Sequence, residues 1–284
     1  MASLLEKIQK SCSALSKTFG STCKIMILSH RESISSSCTQ AEPGDTLVVL
    51  GNGPSLRGFL DSGGHFLEGK MKMAVNFSAT SPDYERLKPE YYLLMDPAFF
   101  SDNATAEKVF RPMREKTSWP MTLFVPFYSR KKHEWQNIIA GNRHIKTYFF
   151  NSTPIEGYKT FRRMCYRLNI GMPRPRNVLV ACLMVALKLP FKTIYLAGAD
   201  HSWLKEIWVD DNNVVQENRA HFYDRDGKTT KVTSKYKIYL LLESMSIAFR
   251  SYLEVEDYAK EINKKIYNIT EGSYIDAFER MKIK

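Results

Sequence analysis

A chain of 284 residues, 44% hydrophobic and 25% charged, carries enough apolar material for a full core and is too apolar for a disordered one. No apolar run approaches the roughly 20 residues of a membrane-spanning helix. The net charge of +11 asks for an anionic partner: nucleotide phosphates, an acidic membrane surface or nucleic acid. Lys and Arg cluster only briefly, as in Arg130-Lys131-Lys132 and Arg162-Arg163, and no nucleic-acid motif is present. The N-terminus lacks an apolar core with a small-residue cleavage site, so no secretory signal is expected. Five scattered cysteines without a Cys-x-x-Cys pair read as reduced thiols of a cytoplasmic protein and predict no zinc site.

Residues 2 to about 20 place Leu4, Leu5, Ile8, Leu15 and Phe19 among Lys7, Lys10 and Lys17. This reads as a basic amphipathic helix, packed on the domain's own surface or lying on a membrane. A Ser-rich stretch to Gly44 reads as a linker, so residues 1–44 form a helix and linker ahead of one domain over 45–284.

Thr46-Leu-Val-Val-Leu50 reads as a buried strand that breaks into Gly51-Asn52-Gly53-Pro54-Ser55. The glycines allow a sharp turn and close approach of a ligand, and Ser55 could cap a following helix. A strand, glycine turn and helix make the first unit of a nucleotide-binding α/β domain, or a plain supersecondary unit. The third glycine of the dinucleotide fingerprint is missing and no Gly-Lys-Ser/Thr follows. Strands are then expected at Met71–Asn76, Tyr91–Asp96, Met121–Pro126 and Ile145–Phe150, with helical stretches near 105–116 and 131–139. This alternation predicts an α/β fold with a mainly parallel sheet and helices on both faces. Asn52, Asn76 and Asp96 would then share the rim beyond the strand ends, as ligand groups or as turn residues.

Arg174-Pro-Arg176-Asn177 precede an apolar helix from Val178 to Leu187. A strand follows and ends in Gly198-Ala199-Asp200-His201, at the same rim. His201 reads as a bonded loop residue or a catalytic one. Residues 203–232 lack periodicity and hold His221, Tyr223 and Arg225, which reads as a lid over the site or as a loop pinned by its aromatics. A long helix follows from about Thr233 to Lys264, then a strand at Lys265–Asn268. Ser273 then either caps a short terminal helix from Tyr274 or bonds a ligand.

Taken in order, Leu50-Gly-Asn-Gly-Pro-Ser-Leu56, Val75-Asn76, Met95-Asp96-Pro97, Ile194-Tyr-Leu-Ala-Gly-Ala-Asp200 and Tyr267-Asn-Ile-Thr-Glu-Gly-Ser273 resemble the small bacterial sialyltransferases of glycosyltransferase family 42. The resemblance spans roughly residues 45–280 and extends to polysaccharide and flagellin glycosylation proteins that share the first motif. It implies a single Rossmann-like domain with a lid at about 201–232. It implies an inverting transfer of sialic acid or a related nonulosonic acid from a CMP-activated donor to a surface glycan, by a histidine base and with no metal or other cofactor. Donor contacts are implied for Asn52, Asn76, Asp96 (commonly Asn in the family) and Ser273, with Gly51, Gly53, Ser55, Gly198 and Asp200 around them.

The departures are specific. Ser202 stands where the family has a tyrosine, Tyr223 lies further on than its second lid tyrosine, and Pro175-Arg176-Asn177 replace its Thr-Ser-Gly. Arg174 or Arg176 could take over as phosphate partners. The family histidine falls on Arg225 or, with a loop shift, on His221, so His221 is the expected base and His201 the reserve. The expected partners are the donor and a glycan acceptor, lipid-linked or not. Contact with an anionic membrane and homo-oligomerisation stay open. The competing readings are a transferase with another nucleotide donor and a non-catalytic nucleotide- or polyanion-binding protein. An oxidoreductase fits poorly, because Asn76 stands where the second strand would end in an acid.

Overall fold

A computed structural model describes residues 4–30, 46–219 and 230–283. Helix α1 (Leu4–Leu28) runs past the expected end near residue 20. Strand β1 (Thr46–Leu50) is followed by α2 (Ser55–Ser62), β2 (Met71–Val75), α3 (Tyr84–Leu87), β3 (Tyr91–Leu93), α4 (Ala98–Ser101) and α5 (Asn103–Lys116). Then come β4 (Met121–Pro126), α6 (His133–Ile139), β5 (Ile145–Phe150), α7 (Lys159–Arg167), α8 (Val178–Ala186) and β6 (Thr193–Ala197). Strands β7 (Ile207–Val209), β8 (Val215–Arg219) and β9 (Thr230–Thr233) precede α9 (Ile238–Glu261), β10 (Lys265–Asn268) and β11 (Glu279–Arg280).

The main sheet has eight strands in the order β11-β10-β6-β1-β2-β3-β4-β5, and every pairing is parallel. Leu47 pairs with Met71 on one side and Ile194 on the other, so β1 is central. A strand buried on both faces needs apolar side chains at odd and even positions alike, and Leu47 to Leu50 supply them. Leu47 and Val49 pack with α8, whose residues Leu179–Ala186 are all buried, and with Tyr252, Val255 and Tyr258 of α9. Val48 and Leu50 pack the opposite face against Leu56 and Leu60 of α2. Further along that sheet, Val109, Phe110 and Met113 of α5 and Trp135 of α6 cover Tyr92, Leu123 and Val125. The fold is α/β and Rossmann-like, with helices on both faces.

Three expectations are corrected. The lid stretch is not structureless: β7, β8 and β9 form an antiparallel sheet. Its first turn closes on Asp210, whose Oδ1 accepts from the backbone N–H groups of Asn212 and Val214. There is no helix from Tyr274. The Tyr274 N–H donates to the Asp200 carbonyl and the Ile275 N–H to Ser273 Oγ, while the Ile275 carbonyl, which a helix would use in its ladder, accepts instead from Arg280 at 3.3 Å. The chain instead reaches β11 and pairs with β10. Finally, β3 ends at Leu93, so Asp96 stands beyond it, exposed, accepting the Ala98 N–H at 2.9 Å.

Candidate active site

Strand order reverses at β1, whose neighbours are β2 on one side and β6 on the other. In an open α/β sheet, the crevice beyond the strand ends at such a reversal is where ligands bind. Two glycine turns meet there. The Gly51 N–H donates to the Ala197 carbonyl at 2.8 Å and the Gly53 N–H to the Gly198 carbonyl at 2.9 Å. The approach leaves no room for side chains. A Cβ on Gly53 would stand 1.9 Å from Asp200 Oδ2 and one on Gly51 2.4 Å from the Gly198 carbonyl oxygen. Gly198 also has φ +66°, a left-handed backbone that favours glycine.

Asp200 locks the two turns together. Its Oδ1 accepts the Ser55 N–H at 3.2 Å and its Oδ2 accepts the Ser55 hydroxyl at 2.8 Å. Ser55 is therefore not a cap. Pro54 holds that position, and the Ser55 hydroxyl is engaged across the crevice. Burial pushes the Asp200 carboxyl above the usual range, against the lowering effect of the Ser55 hydrogen bonds.

On the β2 side, Asn52 Nδ2 donates to the Val75 carbonyl at 3.0 Å, and its Oδ1 accepts the Ser78 hydroxyl at 2.8 Å. Asn76 follows directly with φ +49°, and the Tyr92 hydroxyl donates to its carbonyl. The Asn76 side-chain oxygen is buried and has no hydrogen-bond partner. A buried orphan acceptor costs about 1–3 kcal/mol unless something fills it.

On the β6 side, His201 is only 7% exposed and also left-handed, with φ +52°. Its Nε2 lies 2.7 Å from the Tyr252 hydroxyl, and its ring packs against Trp203, tilted by 38°, with centroids 4.2 Å apart. Tyr252 in turn donates to Asn177 Oδ1 at 2.8 Å, so with that donor committed Nε2–H is the donor to Tyr252. Desolvation lowers the His201 pKa to about 3, which keeps the ring neutral. Asn177 caps α8, its Oδ1 accepting the Val180 N–H at 3.2 Å, while its Nδ2 is buried and unpaired.

Ser273 is fully engaged within the fold. It donates to the Ala199 carbonyl at 2.7 Å and accepts from Asn268 Nδ2 at 3.0 Å and from the Ile275 N–H. Thr270 adds a second tie, accepting the Ala199 N–H at 3.0 Å. These bonds pin the β10 turn to the β6 turn and leave the Ser273 hydroxyl no free donor for a ligand.

The structure thus gathers Gly51, Asn52, Gly53, Ser55, Asn76, Gly198, Asp200, His201 and Asn177 around one crevice. Arg174 points elsewhere, paired with Glu156 at 2.9 Å. It lines a cavity of about 590 Å³ between α1 and α9. Arg176 is exposed, and among the described residues no hydrogen bond or ion pair joins either arginine to the crevice. Ser202 sits half-buried at the start of the lid. His221, Tyr223 and Arg225 lie outside the described residues. Sequence reasoning missed Ser78, Tyr252, Asn268 and Thr270. Thr270 and Asn268 stood within a quoted motif, whereas Tyr252 carried no signal beyond helical spacing.

No protein-family model matches the sequence, and no curated protein matches it significantly. Among solved structures, the MAf glycosyltransferase from Magnetospirillum magneticum AMB-1 is similar, with a TM-score of 0.51 at 11% identity. The match covers 95% of this chain and 38% of that one, so this chain spans well under half of that protein's length. At this identity the likeness is one of fold.

Proposed function

We propose that this chain is a glycosyltransferase that holds a nucleotide-sugar donor in the crevice beyond the carboxyl ends of β1 and β6 and passes the sugar to a glycan acceptor. The observation that carries the reading is the pair of interlocked glycine turns at the strand-order reversal, with two buried side-chain atoms, Asn76 Oδ1 and Asn177 Nδ2, left unpaired beside them. Glycine turns that let a ligand approach the backbone closely, with unpaired amide atoms at the same rim, suit a phosphorylated, hydroxyl-rich ligand. The shared fold with a glycosyltransferase supports the same class.

Within that class, the ordered motifs favour a CMP-activated nonulosonic acid. The bond between the anomeric carbon and the phosphate oxygen breaks, the acceptor oxygen takes its place with inversion, and the acceptor proton passes to a base. CMP leaves as a phosphate monoester that needs hydrogen bonds rather than a metal. His221 is the proposed base. His201, neutral and tied through Nε2 to Tyr252, suits a role in holding the crevice. The replacement of the family's tyrosine by Ser202 favours a second reading, in which the donor carries a different nucleotide. Nucleotide release from CMP-sialic acid, measured with and without a chelator, tests both. His221→Ala is expected to lose turnover by at least about a hundredfold while still binding donor. Full activity in His221→Ala would remove the assignment, and release from a UDP- or GDP-sugar alone would replace the donor.

A further inference from the structure

Helix α1 meets the body through its small polar side. Ser21 Oγ donates to the Glu156 carbonyl at 3.0 Å and accepts the Glu156 N–H at 2.9 Å, and Thr18 Oγ1 accepts the Tyr158 N–H at 3.0 Å. Gly157 fits under the helix because a Cβ there would lie 2.1 Å from Thr18 Oγ1. The apolar side is turned outward: Leu5 is 78% exposed, Leu15 61%, Phe19 72% and Met26 73%. This reverses the usual arrangement, in which the apolar stripe of a surface helix faces its own core.

The outward stripe has a specific period. Leu5, Ile8, Cys12, Leu15, Phe19, Thr22 and Met26 follow one another at alternating steps of three and four residues. That is the spacing of a coiled-coil seam rather than of a helix lying on a globular core. The flanking positions Leu4, Gln9, Ser11, Ser16, Thr18, Cys23 and Ile25 are all uncharged. Lys10, Lys17 and Lys24 recur every seven residues on the opposite side of the helix. A helix lying in a lipid surface places its basic residues beside the apolar stripe, where they reach the headgroups. Here they point away from it. Two copies of a chain with net charge +11 would meet along this seam without like charges opposed. The neighbouring stretch 31–45 offers one large apolar side chain, Ile34.

We infer that the outward face of α1 is a self-association surface, and that two copies of this chain pair through it helix to helix. Sedimentation velocity of the full chain across the micromolar range reads the outcome. The wild type is expected to be a dimer. Leu15→Glu with Phe19→Glu is expected to raise the dissociation constant at least about tenfold, with an unchanged circular dichroism spectrum. Lys10→Gln with Lys17→Gln and Lys24→Gln is expected to leave the dimer intact. A monomeric wild type, or a Glu variant that dimerises like the wild type, would overturn the inference. So would a monomeric wild type that floats with phosphatidylglycerol vesicles and loses flotation in the lysine variant, which would assign the helix to a lipid surface.

Discussion

His201 could be read from the sequence as a bonded loop residue or as a catalytic one. Its place after the glycine of β6 marked it as a rim residue, and the structure puts it there. Burial beside Tyr252 and Trp203 makes it neutral, with a pKa near 3. In the unfolded chain the same ring protonates below about pH 6.5. Between those values the unfolded state binds more protons, so stability falls as pH drops, by about 1 kcal/mol for each pH unit. His201→Asn accepts the left-handed backbone and removes this titration. Urea unfolding at about pH 7 and about pH 5 is therefore expected to show a larger acid loss in the wild type than in the variant. Equal losses would mean that His201 is open to solvent. The Ser273 hydroxyl was ambiguous for a related reason. A serine after a strand reads alike as a cap, a ligand group or a tie between loops, and only the Ala199 carbonyl 2.7 Å away decides for the tie.

At the scale of elements, the apolar runs of β1, β4 and α8 were legible because a segment buried on nearly all sides tolerates almost no polar residue. The elements that were misjudged depend on distant partners. The stretch after Ser273 carries no local reason to avoid a helix until Arg280 takes the Ile275 carbonyl and β11 pairs with β10. The sheet of β7 to β9 is short and outward-facing, so no apolar alternation announced it. The start of α8 combines both situations: Asn177 caps locally and receives Tyr252 from α9. Asn177→Ala is expected to lose about 1–2 kcal/mol, the cap and part of the Tyr252 hydrogen bond together. Asn177→Ser keeps the cap and should lose less. Chemical denaturation midpoints check both, and an Ala variant as stable as the wild type would deny the cap its role.

For the whole molecule, the all-parallel sheet has a single reversal of strand order beside β1, and the interlocked turns stand at that point. The strand-and-glycine pattern made this rim visible in the sequence. The position of Arg174 on Glu156, away from the rim, was not visible, because Glu156 belongs to a loop that the sequence gives no reason to place there. By the proposed function, a nucleotide binds on the rim that the interlocked Gly51–Gly53 and Gly198–Asp200 turns form together. Titration calorimetry with CMP, UDP, GDP and NAD, on the wild type and on Gly53→Ala, tests it most directly. The variant would force a Cβ to within 1.9 Å of Asp200 Oδ2 and prise the turns apart. The wild type is expected to bind CMP in preference to the others, and Gly53→Ala, still folded, to bind it at least about tenfold more weakly, a loss of about 1.4 kcal/mol. A wild type that binds none of these nucleotides, or a folded variant that binds them unchanged, would contradict this expectation.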